Sequence, residues 1–167
     1  MNDPATLDDQ LLRTYFLSHL DRVYCAKSHL VAQLPELAAA ANFRDIKLAI
    51  DETGEDVAKQ IIRLNEIFVL LDADRSAAVC SGMTALLDEA FVAIHEQGTH
   101  EAFRDLSLLF YLQNIESIEM ASFQVMQMAA VRFRNAEINH LLKVSYDESK
   151  EDRALMLLIT AKCLVKK

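Results

Sequence analysis

Glycine occurs three times and proline twice in 167 residues, about 3% together where an average chain carries about 12%. That scarcity limits the fold severely. Sandwiches, barrels and doubly wound sheets need a turn about every 8–12 residues, and many of those turns need the positive φ that glycine reaches without strain. Glycines at 54, 82 and 98 alone cannot supply them. Long helices remain. With 52% hydrophobic residues, a chain of this length buries roughly two-thirds of its unfolded surface. One domain spanning residues 1–167 is expected, and it needs no staples.

The 17 Lys and Arg against 25 Asp and Glu give a net charge of −8, which disfavours binding to nucleic acid phosphates. No apolar stretch approaches the ~20 residues of a membrane span. Neither nucleic acid nor membrane is therefore an expected partner. The start, MNDPATLDDQ, is acidic and lacks the apolar region of a signal peptide, so cytoplasmic residence is expected. Cys25, Cys80 and Cys163 are odd in number, widely spaced and without ligand spacing. They read as reduced, packed thiols.

Thr6 followed by Asp8 and Asp9 reads as a helix cap with acids in the first turn. Apolar residues at Leu20, Tyr24, Val31 and Leu34 continue that helix over residues 6–41, with a kink or restart at Pro35. A second stripe, Ile46, Ile50, Val57, Ile61, Leu64 and Phe68, predicts a helix over 43–71. Residues 99–131 and 135–164 repeat the pattern with Leu109, Leu112 and Phe123, then Leu141, Leu155 and Ile159. Between the two hairpins, residues 76–95 read as a shorter crossover helix. Two long hairpins joined by a long crossover predict an all-α fold, a ferritin-like antiparallel four-helix bundle with a short fifth helix.

Polar residues interrupt these stripes. Lys27 lies on the first, Thr53 and Asp56 on the second, Glu116 and Glu119 on the third, and Ser145 and Glu148 on the fourth. Helix rise gives their heights. Counted from turns centred near Asn42 and Phe133, Lys27, Asp56, Glu119 and Glu148 each fall about 21–22 Å away. One layer across the middle of the bundle is expected. Helix bundles build carboxylate-bridged iron or manganese pairs at such a layer, with Glu from two helices and Glu-x-x-His from the other two. This layer has acids from three helices, a lysine on the fourth and no histidine. Met120, Met126 and Met128 read as core filler, and no Ser-His-Asp set or phosphate-binding glycine loop is present.

Particular stretches also resemble a known family, the YciE/YciF-type bacterial stress proteins, a ferritin-like group of largely unassigned function. His19-Leu-Asp-Arg-Val-Tyr-Cys-Ala-Lys-Ser-His-Leu and Leu34-Pro-Glu-Leu-Ala-Ala-Ala-Ala41 are similar to its HLLxDxYxAExQL and ALPxLAxAA. Gln113-Asn-Ile-Glu-Ser-Ile-Glu-Met-Ala-Ser-Phe is similar to its KVEHYEIASYG. The resemblance implies a metal layer whose positions in this chain are Lys27, Thr53, Asp56, Glu116, Glu119 and Glu148. Asp56, Glu116, Glu119 and Glu148 match it. Lys27 replaces an acid, and Thr53 and Ser117 replace histidines.

A degenerate layer in which Lys27 serves as counter-ion is therefore expected, with no metal or other cofactor and no catalytic residue. The function this implies is that of a non-enzymatic, stress-associated protein acting by association. A carboxylate-bound iron or manganese oxidase or peroxide-consuming protein is the alternative. The apolar crossover face, with Val79, Met83, Leu86, Leu87, Phe91 and Ile94, predicts a homodimer.

Overall fold

The computed structural model describes residues 8–165. Asp8 caps the first helix, α1 (Asp9–Ala40), by accepting the backbone N–H of Leu11 at 2.9 Å. Thr6, the cap read from sequence, lies outside the described residues. α1 runs through Pro35 without the expected restart. The missing N–H costs one helical bond, while Leu34 and Leu37 on either side are buried and hold the turn in register.

A short turn leads into α2 (Arg44–Leu70), whose N-cap, Phe43, has no polar side chain to offer. Asp105 supplies the acceptor from another helix. Its buried carboxylate takes the backbone N–H groups of Asn42 and Phe43 at 2.8 and 2.9 Å, satisfying donors that would otherwise be orphaned. This bond fixes the start of the fourth helix beside the α1–α2 turn.

The crossover helix, α3 (Ser81–Glu96), begins five residues later than the expected 76. The delay has a physical cause, because residues 72–80 are held in non-helical form along α1. The Ser76 N–H and hydroxyl donate to the Asp21 carboxylate at 2.9 and 2.5 Å. The Arg75 guanidinium lies 4.3 Å from the centre of the Tyr24 ring, and Cys25 and Cys80 are joined by a disulfide with their Cα atoms 5.9 Å apart. The reading of all three cysteines as reduced is thereby corrected. Cys25 and Cys80 are 55 residues apart in sequence, and only the return of the crossover along α1 brings them together.

Gly98, at φ +54°, closes α3 in the left-handed conformation that glycine adopts most readily. α4 (Glu101–Ala130) follows, then a 3-10 turn at Val131–Phe133. α5 (Ala136–Val165) starts where Asn135 Oδ1 accepts the N–H groups of Glu137 and Ile138 at 3.0 and 3.3 Å.

Around the bundle α1 packs on α2, α2 on α5, α5 on α4 and α4 on α1, with α3 lying between α1 and α4. This is the expected antiparallel four-helix bundle with one long crossover. Among the described residues no helix is long and apolar enough to cross a membrane. α3 buries Met83, Leu87, Ala90 and Ile94 against the bundle, so much of the apolar face expected to meet a second subunit is already covered.

The core has two apolar halves. One gathers Leu30, Leu37, Ile50, Val57, Leu109, Ile115, Met156 and Ile159 with the buried face of α3. The other gathers Phe16, Leu20, Leu64, Phe68, Phe123, Leu141 and Leu142. Between them lie Lys27, Thr53, Glu116, Glu119, Ser149 and Asp152, all buried.

Candidate functional site

Lys27 is completely buried, on the inward face of α1 between Leu20 and Leu30. Its ammonium pairs with the carboxylate of Glu119 on α4 and sits 5.3 Å from the centre of the Phe123 ring. An unpaired ammonium in this position would cost several kcal/mol in lost hydration; the Glu119 charge and the negative face of Phe123 offset that cost. Thr53 enters from α2 and Ser149 from α5, both fully buried.

Two further acids complete the layer, Glu116 at 1% exposure and Asp152 at 4%. Burial, and then the neighbouring charge of Glu119, holds the Glu116 carboxyl well above the ordinary carboxylate range, against the pull of Lys27. Burial, and then the charge of Asp56, pushes Asp152 up to about 7, against the Thr53 hydroxyl and Lys27. Asp152 is therefore near its midpoint at pH 7, and Glu116 holds its proton more firmly than an ordinary carboxyl. Three acids thus share one buried cation without three full negative charges.

Of the six positions read from sequence, the structure brings Lys27, Thr53, Glu116 and Glu119 together and leaves Asp56 and Glu148 at the rim. Asp56 is partly buried at the edge of the layer, near enough for its charge to act on Asp152, and takes the Lys59 ammonium at 2.7 Å. Glu148 is held in a two-pronged pair by the Arg63 guanidinium at 2.6 and 2.7 Å, with Gln60 Nε2 at 3.2 Å. Each is paired with a cation from α2, while Lys27 pairs with Glu119. Asp152, one turn beyond Glu148, occupies the interior instead. It was legible in the spacing of Leu141, Ser145, Ser149, Asp152 and Met156, all buried on one face of α5.

Ser117, where the resemblance implies histidine, points to the α4–α5 seam. Its hydroxyl donates to the Gln113 carbonyl and accepts from Arg153 Nε, each at 2.7 Å. Among the described residues no three His, Cys, Asp or Glu side chains converge in a metal-binding arrangement. The iron or manganese pair that the resemblance implies does not fit this donor set. A lysine ammonium occupies Glu119, the layer has no nitrogen ligand, and Asp56 and Glu148 are engaged elsewhere. The residues of the layer are 0–4% exposed.

A second feature lies on the surface. α3 covers one half of the α1–α4 groove, and the other half is an open cavity of about 630 Å³ lined by Tyr15, Phe16, Val23, Ile118, Val125 and Met126, with Cys80 and Met83 at one end.

The family described as domain of unknown function DUF892 matches residues 11–165. Protein YciF of Escherichia coli K12 is 25% identical over 139 residues, 81% of each chain. The crystal structure of the E. coli stress protein YciF superposes with a TM-score of 0.88 at 23% identity, covering 93% of this chain and 98% of that one. A Rhodopseudomonas palustris protein called YcfI, described as structural, superposes with a TM-score of 0.84 at 21% identity, covering 94% and 98%.

Proposed function

Because this chain belongs to the DUF892 family, we propose that it is a stress-associated protein of ferritin-like fold, without enzymatic activity and without a metal, that acts by association. The observation that carries this reading is the Lys27 ammonium on Glu119 inside the layer. A fixed cation there supplies the charge that a metal would bring, but it offers no open coordination position and no redox couple. The naming of one relative as a stress protein and another as structural agrees with it. A second reading, a carboxylate-bound iron or manganese oxidase, draws on the unpartnered buried oxygens Glu116 Oε2, Glu119 Oε1 and Asp152 Oδ2. Elemental analysis of protein purified without chelator separates the two. The first predicts less than about 0.1 iron or manganese per chain, since Lys27 already balances much of the layer charge; one or two per chain would overturn it.

The homodimer belongs to the same proposal, with its contact moved from α3 to the patch between the start of α1 and the end of α4, away from Cys80. Leu11, Tyr15, Val125 and Met128 stand exposed there in one patch, the kind of surface that a self-complementary two-fold contact covers. Sedimentation at micromolar concentration is expected to show a dimer that Val125→Asp dissociates; a monomer throughout would overturn it. Cytoplasmic residence remains part of the reading and is tested by cell fractionation.

A further inference from the structure

The connector between α2 and α3 meets one short stretch of α1 three times: Ser76 on Asp21, Arg75 on Tyr24, and Cys80 on Cys25. Apolar anchoring is slight. Val79 is 80% exposed, and Ala73 is the connector residue that packs on the core. Beyond Cys80, α3 is held by its own buried residues and does not depend on the connector. The disulfide therefore secures a strap, and its loss would open that segment without opening the bundle. Cys80 also lines the open groove together with His19 and Arg22, so a thiolate arriving through the groove can reach its sulfur past a fixed cation.

We propose that Cys25–Cys80 is a reversible thiol–disulfide exchange site whose substrate is a dithiol reductant, and that exchange there releases residues 72–80 from α1. One thiolate of the reductant attacks Cys80 Sγ, the protein S–S bond breaks, and Cys25 leaves as a thiolate that takes up a proton. The second thiol of the reductant then attacks the mixed disulfide, Cys80 leaves and is protonated, and the reductant departs as its own disulfide. The protein gains two electrons and two protons. In a thiol-rich compartment the pair rests reduced, and the strap closes when that compartment becomes oxidising. This inference is independent of whether the core layer binds metal.

Tryptic mapping and limited proteolysis test it. In maps of denatured, oxidised protein, peptides 23–27 and 76–104 should run as one linked species that dithiothreitol separates. On the native protein, trypsin should cut after Arg75 at least tenfold faster once dithiothreitol is added, with cleavage after Arg104 on α4 unchanged, and reoxidation should restore protection. Cys25→Ser with Cys80→Ser should match the reduced protein whether or not reductant is present. Failure of the two peptides to link under oxidising conditions would overturn the proposal. So would an equal rate of Arg75 cleavage in the oxidised and reduced wild-type protein.

Discussion

Lys27 of α1 pairs with Glu119 of α4, while Asp56 and Glu148 are matched by Lys59 and Arg63 of α2. These six charged residues are thus sorted into one buried pair at the centre and two separate pairs at the rim. Only the central pair separates the two apolar halves of the core, and its removal should be felt far more than that of either rim pair.

The pH dependence of stability should carry the mark of Asp152. Its carboxyl titrates near 3.8 in the unfolded chain and at about 7 in the fold, so between those values the folded state holds a proton that the unfolded state has released. Stability contributed by this group is therefore greatest below pH 4 and falls as pH rises toward 7. Glu116, also raised, acts in the same direction. Asp152→Asn keeps the shape without the charge. It should raise stability at pH 8 by about 2–4 kcal/mol relative to its effect at pH 4. Urea midpoints of both proteins from pH 4 to 8 check this; parallel curves would refute it.

Glu148 and Arg63 are only 17% and 19% exposed at their side chains, but they lie at the rim, where water screens the pair. Arg63→Met is expected to cost about 1 kcal/mol. A denaturant titration at pH 7 measures it, and a loss as large as that of Lys27→Met would place Glu148 back in the central layer.

Asp105→Ala tests the joint between α4 and the α1–α2 turn. It removes the acceptor for two backbone N–H groups, and hydrogen bonds to a charged group are worth about 1.5–3 kcal/mol each when broken. Loss of about 3 kcal/mol in a urea titration is expected, with faster amide exchange at Asn42 and Phe43; unchanged exchange there would contradict the capping role.

The helices were legible because glycine and proline are so scarce and because each stripe repeats at helical spacing. Their ends were less so. The cap of α2 comes from Asp105, 62 residues beyond Phe43, and no local pattern announces it. The polar layer was visible as interruptions in the stripes, but counting height alone chose Asp56 and Glu148. Height fixes distance along the axis and says nothing of direction around it. Stripe spacing on α5 assigns the interior to Ser149 and Asp152, and on α2 to Thr53. The Cys25–Cys80 pair was out of reach because it depends on where the crossover returns.

The central claim is that Lys27 is the counter-ion of the buried layer, and a double-mutant cycle with Glu119 tests it most directly. Urea denaturation at pH 7 of the wild type, Lys27→Met, Glu119→Gln and the double variant gives the four free energies. Lys27→Met alone should cost about 3–5 kcal/mol by leaving Glu119 buried beside no cation, and adding Glu119→Gln should recover more than half of that loss. A cost within experimental error for Lys27→Met, or strictly additive effects of the two changes, would contradict the claim.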